Sequence, residues 1–333
     1  MLYKKNELKI IMIICFSIII MFLLRIPYDW GDIGRIESIY KNKEILDKNI
    51  FYYSLKYFSE KGVPFFYIVL VSILIQLFLY MNIIEYYMKK NRMKYKYIYL
   101  FIGIIMIDYF SNYVIMRYPM AIAFFCFGIY MFDKKCYIRA LIVFFLAGQI
   151  HSFLYFIIII FYLSLFIKNK FLDKLLCITI LGTLFSKNIL NIFSRIMLKI
   201  RILSEYGVKI NYYINDYYGS FQAAKDLVFF NYVGVSLVFL YISNICFGIS
   251  LFYENKEIDN KIKIFLKFLF LIFLFSFSQI TFLNRVGALF QELFLYFYIF
   301  KNDIKYTLLL KIGLLFLTIF YLYRLVLILI ISL

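Results

Sequence analysis

VPFFYIVLVSILIQLFLYMNIIE, residues 63–85, decides the class of fold, because no charge interrupts it before Glu85. A helix needs ~20 mostly apolar residues to cross the hydrocarbon core of a bilayer. Similar runs lie near 10–26, 98–116, 227–253, 264–283 and 307–330. Shorter or interrupted ones lie near 118–132, 139–150, 153–167, 171–186 and 286–300. The reading is therefore an all-α, polytopic integral membrane protein with about eleven spans (10–12, depending on how the interrupted runs divide). No internal repeat or low-complexity linker divides residues 1–333, which read as one membrane domain.

Composition agrees. The 333 residues are 65% hydrophobic and 23% aromatic, with a mean hydropathy of +0.85, against an apolar share of ~45–50% in soluble domains. Thirty-seven Lys and Arg face 19 Asp and Glu, a net charge of +18. In a soluble protein that excess would suggest nucleic acid; here its placement argues otherwise. Nineteen of the basic residues fall in the short segments 1–9, 89–97, 133–139, 168–174, 254–263 and 301–305. Short cytoplasmic loops collect Lys and Arg for topological reasons, so the expected orientation is N-in, C-out. Two long segments, 27–61 and 186–226, then face outward, carrying six basic with six acidic residues and six with three. The first run has about 17 apolar residues and no small-residue cleavage site, so it reads as a retained span.

Cys15, Cys126, Cys177 and Cys246 lie in apolar runs and Cys136 in a basic turn, with no CxxC pair. Neither a disulfide framework nor a zinc site is expected. Gly-rich nucleotide loops, a Walker A motif and a DxD-type cluster are missing from the proposed inner side, which argues against nucleotide chemistry. No cofactor, metal or nucleic-acid partner is expected. The scattered glycines, Gly103, Gly128, Gly148, Gly182, Gly234, Gly248 and Gly313, read as helix-packing positions.

Ionisable residues at membrane depth are costly and mark function. Arg25 and Glu85 lie near helix ends, Lys267 and Lys311 can snorkel to the interface, and Arg324 has Glu292 as a conceivable partner. Arg117, His151 and Arg285 differ. Each falls on the outer side where an inward span begins. Pro119 follows Arg117 closely, Ser152 follows His151, and Asn284 precedes Arg285, all residue types that favour helix starts. Basic side chains beside helix N-termini, where free N–H groups and the dipole already attract anions, suit a diphosphate. Taken singly, each has a plainer explanation, an interface anchor for arginine and a packed hydrogen-bonding role for histidine. The set is what points to a site.

The outer segments supply other groups. Asp29, Trp30, Asp32 and Arg35 follow the first span; a carboxylate can act as general base toward a sugar hydroxyl, and Trp can stack on a sugar ring. The plainer alternative is a solvated loop with paired charges. Segment 186–226 opens with Ile189, Ile192, Phe193, Ile196 and Ile200 at helical spacing, interleaved with Arg195, Lys199 and Arg201, as in a helix lying on a membrane surface. It then turns Tyr-rich, with Tyr212, Tyr213 and Tyr217, which fits oligosaccharide contact and equally fits an interfacial aromatic belt.

Three stretches resemble the central region of the EpsG family, which contains polysaccharide polymerases of the Wzy type. They are Met116-Arg117-Tyr118-Pro119-Met120-Ala121-Ile122-Ala123-Phe124-Phe125, the turn Lys134-Lys135-Cys136-Tyr137-Ile138-Arg139, and Ala147-Gly148-Gln149-Ile150-His151-Ser152. The resemblance covers the layout of most of the chain, with about 40 residues carrying motif, and implies a GT-C-like arrangement of the helices. Tyr-Pro follows the Arg where Gln-Gly is commoner, and the first loop matches loosely.

The resemblance implies a glycosyltransferase at the outer face of a bacterial cytoplasmic membrane, using undecaprenyl-diphosphate-linked oligosaccharides and needing neither metal nor nucleotide. It would transfer a growing chain onto the next lipid-linked repeat unit, building O-antigen, capsule or exopolysaccharide. Arg117 and Arg285 are then expected at the donor diphosphate. His151 is the base or a phosphate contact, Asp29 or Asp32 is the rival base, and Arg35, Trp30, Tyr212, Tyr213 and Tyr217 are substrate contacts. The bilayer is one partner, and a chain-length regulator is compatible with this reading. The rivals are a flippase of lipid-linked oligosaccharides, a membrane O-acyltransferase and an O-antigen ligase.

Overall fold

The computed structural model describes residues 31–45, 49–91, 117–200, 204, 207–208, 211, 232–253, 260–276, 280–299 and 308–332. Among these every element of secondary structure is helical. In order come α1 (Gly31–Asn42), α2 (Ile50–Glu60), α3 (Phe65–Asn91), α4 (Arg117–Asp133), α5 (Tyr137–Ile150), α6 (Phe153–Ser164) and α7 (Asn169–Gly182). A 3-10 turn (Thr183–Phe185), α8 (Ser186–Lys199), α9 (Tyr232–Tyr253), α10 (Asn260–Phe275), α11 (Ile280–Leu293), a π-helix (Phe294–Ile299) and α12 (Leu308–Ser332) complete the order. Counted over the described residues alone, no helix is long and apolar enough to cross a membrane. The longest, α3, α9 and α12, each include side chains outside that set.

The chain divides into two units, Met1–Ile159 with Tyr321–Leu333, and Ile160–Phe320. In the first, segment 27–61, expected to face outward, contains two helices, α1 and α2. Ile36, Ile39 and Tyr40 form the buried stripe of α1, at the i, i+3, i+4 spacing of one helical face. Asn49 caps α2 by accepting from the Tyr52 N–H at 3.1 Å. Tyr40 locks α1 to the entry of α3: its hydroxyl donates to the Val63 carbonyl, its own carbonyl accepts from Ser59 Oγ at 2.6 Å, and its ring meets Phe65 at 5.4 Å. Burial pushes the Tyr40 hydroxyl above its ordinary pKa.

Helices α1, α2 and α4 stop in the same way. Glu44, Val63 and Cys136 donate their N–H groups back to the carbonyls of Ile39, Phe58 and Met131 at 3.0–3.1 Å. The residue before each donor is left-handed, Lys43 at φ 56°, Gly62 at φ 70° and Lys135 at φ 62°. These are Schellman closures, which satisfy carbonyls that the helix end leaves free. Only Gly62 adopts the conformation without the Cβ penalty.

Helix α3 is apolar on its exposed face as well as on the buried face that holds Val69, Leu79 and Ile83. It buries Ser72 and Gln76 while Tyr67, Val71, Leu74 and Phe78 stand exposed on other faces. Ser72 Oγ donates to Met120 Sδ of α4 at 3.4 Å. Helices α4 and α5 pack closely because Gly128 lies where any Cβ would reach within 2.5 Å of the Phe144 ring. At the far end of this pair, Lys134 Nζ sits 4.6 Å from the ring centres of both Tyr86 and Tyr130, tying α3 to the α4–α5 turn.

In the second unit α10 is the hub, packed against α7, α9 and α11. Its core is phenylalanine: Phe247, Phe270, Phe273, Phe290 and Phe294 are all buried, and Phe247 stacks on Phe294 at 4.5 Å and 14°. Two sequence expectations change here. The run 264–283 is not one helix, since α10 ends at Phe275 and α11 occupies Ile280–Leu293. Lys267 does not snorkel: it is 2% exposed and its Nζ lies 2.6 Å from Asp173 of α7 and 4.4 Å from the Phe252 ring centre. A desolvated ammonium needs a countercharge more than an exit.

Candidate functional site

Arg117 and His151 both fall in the first unit. Arg117 is the first described residue of α4 and is half-buried. One of its guanidinium N–H groups, on Nη1, donates to the Tyr52 hydroxyl oxygen at 2.9 Å. The guanidinium carbon also lies 5.2 Å from the centre of the Tyr52 ring, within the range of a cation–π contact. Tyr52 is 4% exposed and belongs to the first turn of α2.

His151 separates α5 from α6, as the sequence reading placed it. Its backbone is extended (φ −144°, ψ 109°) and its side chain is buried. The carbonyls of His151 and Ser152 accept from the N–H groups of Leu154 and Tyr155 at 2.9 and 3.1 Å, opening α6. The imidazole meets Tyr118 edge-on with ring centres 5.0 Å apart, and Phe153 at 6.4 Å. Tyr118 follows Arg117 directly in the chain, so one dipeptide supplies both the cation and the ring against the imidazole.

Two residues that the sequence reading assigned no role connect these parts. Gln149 Oε1 accepts from the backbone N–H of Ile50, the first residue of α2, at 3.3 Å. Its Nε2 donates to the Tyr155 hydroxyl at 2.7 Å. The first turn of α2 is thus held to the corner that carries His151, while Tyr52 of that same turn holds Arg117. Gly148 makes this corner tight, because a Cβ there would lie 2.4–2.6 Å from the Tyr155 ring. No sequence period announces Tyr52, one of 33 tyrosines. Only its place three residues after the capping Asn49 sets it apart.

The other expected residues fare differently. Asp29, Trp30, Tyr212, Tyr213 and Tyr217 lie outside the described residues, and of Asp32 only the α1 backbone is described. Arg35 is exposed on α1. Arg285, in the second unit, is half-buried but does not open a helix: it is the sixth residue of α11. The anion-favouring free N–H groups belong to the first turn, so the helix-start argument does not hold for Arg285, and Asn284 is not its cap. Arg324 lies in α12, its side chain outside the described set. Among the described residues no group of three or more His, Cys, Asp or Glu could hold a metal ion.

Chemically, the Arg117–His151 corner offers a fixed guanidinium, a group that binds oxyanions through a planar array of donors, and an imidazole, a group that can accept or donate a proton. Neither curated proteins nor solved structures give a match. A family model does, over residues 3–331, and by that match the chain belongs to the EpsG family.

Proposed function

We propose that the protein is a polysaccharide polymerase of the cytoplasmic membrane, joining undecaprenyl-diphosphate-linked oligosaccharide repeat units at the outer face. The observation that carries this reading is the Arg117–His151 corner, within a chain that matches the EpsG family over nearly its whole length. Family membership supports a role in polysaccharide biosynthesis; the corner supports the finer reading. Transfer of a glycan from its lipid diphosphate leaves a negatively charged leaving group and requires one acceptor hydroxyl to lose its proton. Arg117 answers the first need and His151 the second.

The membrane setting rests on side-chain placement as well as composition. Phe166, Ile178, Leu181 and Phe78 are 86, 63, 66 and 66% exposed, a cost in water of about 25 cal/mol per Å² of apolar area that lipid removes. Ile157, Ile158, Ile159 and Ile160 form four successive helical residues in α6, although β-branched runs favour strands in water. In hydrocarbon the backbone must satisfy itself, and the helix wins regardless of propensity. Helix α3, at 27 residues, would extend ~40 Å against a hydrocarbon core of ~30 Å.

The test is a deletion strain. Loss of a polymerase leaves surface glycans of one repeat unit, whereas loss of a flippase abolishes export. Complementation with Arg117→Ala should fail to restore the polymer ladder, with a rate lower by roughly 10²–10³. Normal chain length from Arg117→Ala would remove the basis of the assignment.

A further inference from the structure

We propose that Tyr52 is a positioning residue for Arg117 and that, through it, the first turn of α2 sets the affinity of the site for a lipid-linked diphosphate. The inference rests on the reading of Arg117 given above and extends it to a residue outside the helix that carries the arginine.

An arginine side chain has several rotatable bonds, and aiming it at a ligand costs rotamer entropy unless something holds it. Tyr52 holds it twice over. The phenol oxygen takes one Nη1 hydrogen at 2.9 Å, and the ring lies at 5.2 Å from the guanidinium carbon. The tyrosine itself is fixed. It is buried, its ring meets Phe51 edge-on at 5.5 Å, and its N–H is capped by Asn49. The Ile50 N–H two residues before it is tied to Gln149, which also bonds Tyr155. A guanidinium has five N–H donors, and the contact with Tyr52 uses one of them. The phenol is neutral, so it orients the cation without cancelling its charge, as an aspartate would.

The measurement is equilibrium binding of farnesyl diphosphate to the full-length protein in lipid nanodiscs, with inorganic pyrophosphate and farnesol as separate arms. Tyr52→Phe keeps the ring and removes the acceptor. It should weaken farnesyl diphosphate binding about 3–10-fold, the scale of one ordinary hydrogen bond. Tyr52→Leu removes the ring as well and should weaken it further. Pyrophosphate should show the same ratios and farnesol no change. In an Arg117→Ala background, Tyr52→Phe should have no additional effect, because a residue acting through Arg117 has nothing left to position. Thermal unfolding of the Tyr52→Phe protein within a degree or two of the parent separates this from general destabilisation.

Additive losses in the double variant, or a loss confined to farnesol, would overturn the inference. Unchanged binding by Tyr52→Phe while Arg117→Ala binds weakly would overturn it and leave the diphosphate reading standing. Unchanged binding by Arg117→Ala would overturn both.

Discussion

At the scale of single residues, the chain separates charges that serve a site from charges that serve the fold. Arg117 donates to the Tyr52 phenol, a contact that orients the guanidinium without itself supplying a countercharge. If its contact with the diphosphate is bidentate, Arg117→Lys should recover only part of the polymer length lost with Arg117→Ala, since an ammonium cannot present a planar pair of donors; full recovery, read from the glycan ladder, would argue for a simple charge. Lys267 is the opposite case, a buried ammonium already matched to a carboxylate at 2.6 Å. Asp173→Asn leaves that ammonium buried without its countercharge, whereas Lys267→Met fills the space with apolar volume. The first should destabilise by about 1–3 kcal/mol, reduced by the partial exposure of Asp173, and the second by less. Thermal unfolding in detergent compares them directly, and the reverse order would show that the pair stabilises the fold rather than merely compensating a burial.

At the scale of elements, close approach and helix ends do most of the positioning. Gly148→Ala forces the Tyr155 ring to move, since the added methyl would lie 2.4–2.6 Å from it. The ring cannot shift without straining its hydroxyl's bond to Gln149. A loss of about 1–3 kcal/mol is expected, as for overpacking elsewhere, together with weaker farnesyl diphosphate binding as α2 loosens. The closure of α4 predicts a gain. Lys135 stands in the left-handed region, so Lys135→Gly should stabilise by about 1 kcal/mol. A fall in unfolding temperature would mean that the lysine charge near the α4 terminus outweighs its conformational cost.

At the scale of the whole molecule, the expected orientation can be read with single introduced cysteines. Lys61→Cys, beside the turn between α2 and α3, should react with a membrane-impermeant maleimide in spheroplasts. Lys135→Cys, in the basic turn between α4 and α5, should react only after lysis. The opposite pattern would invert the topology and put the Arg117–His151 corner on the nucleotide-containing side of the membrane, which no lipid-linked repeat-unit polymerase could use.

Helical class, the break at His151 and the helix-packing roles of Gly128, Gly148, Gly248 and Gly313 were all legible in the sequence. Apolar run length, polar punctuation and residue size are local properties, and they act through neighbouring residues. The same locality explains the errors. Asn284-Arg285 has the composition of a helix start, yet α11 runs Ile280–Leu293, because tertiary packing outweighs a capping preference of about 1 kcal/mol. Lys267 looked able to snorkel until Asp173, 94 positions away, came within 2.6 Å. The partnership of Tyr52 with Arg117 spans 65 positions and follows no period. Which tyrosine meets the arginine is settled only when α2 folds back onto the α5–α6 corner, because burial and hydrogen-bond geometry, not spacing, select the pair.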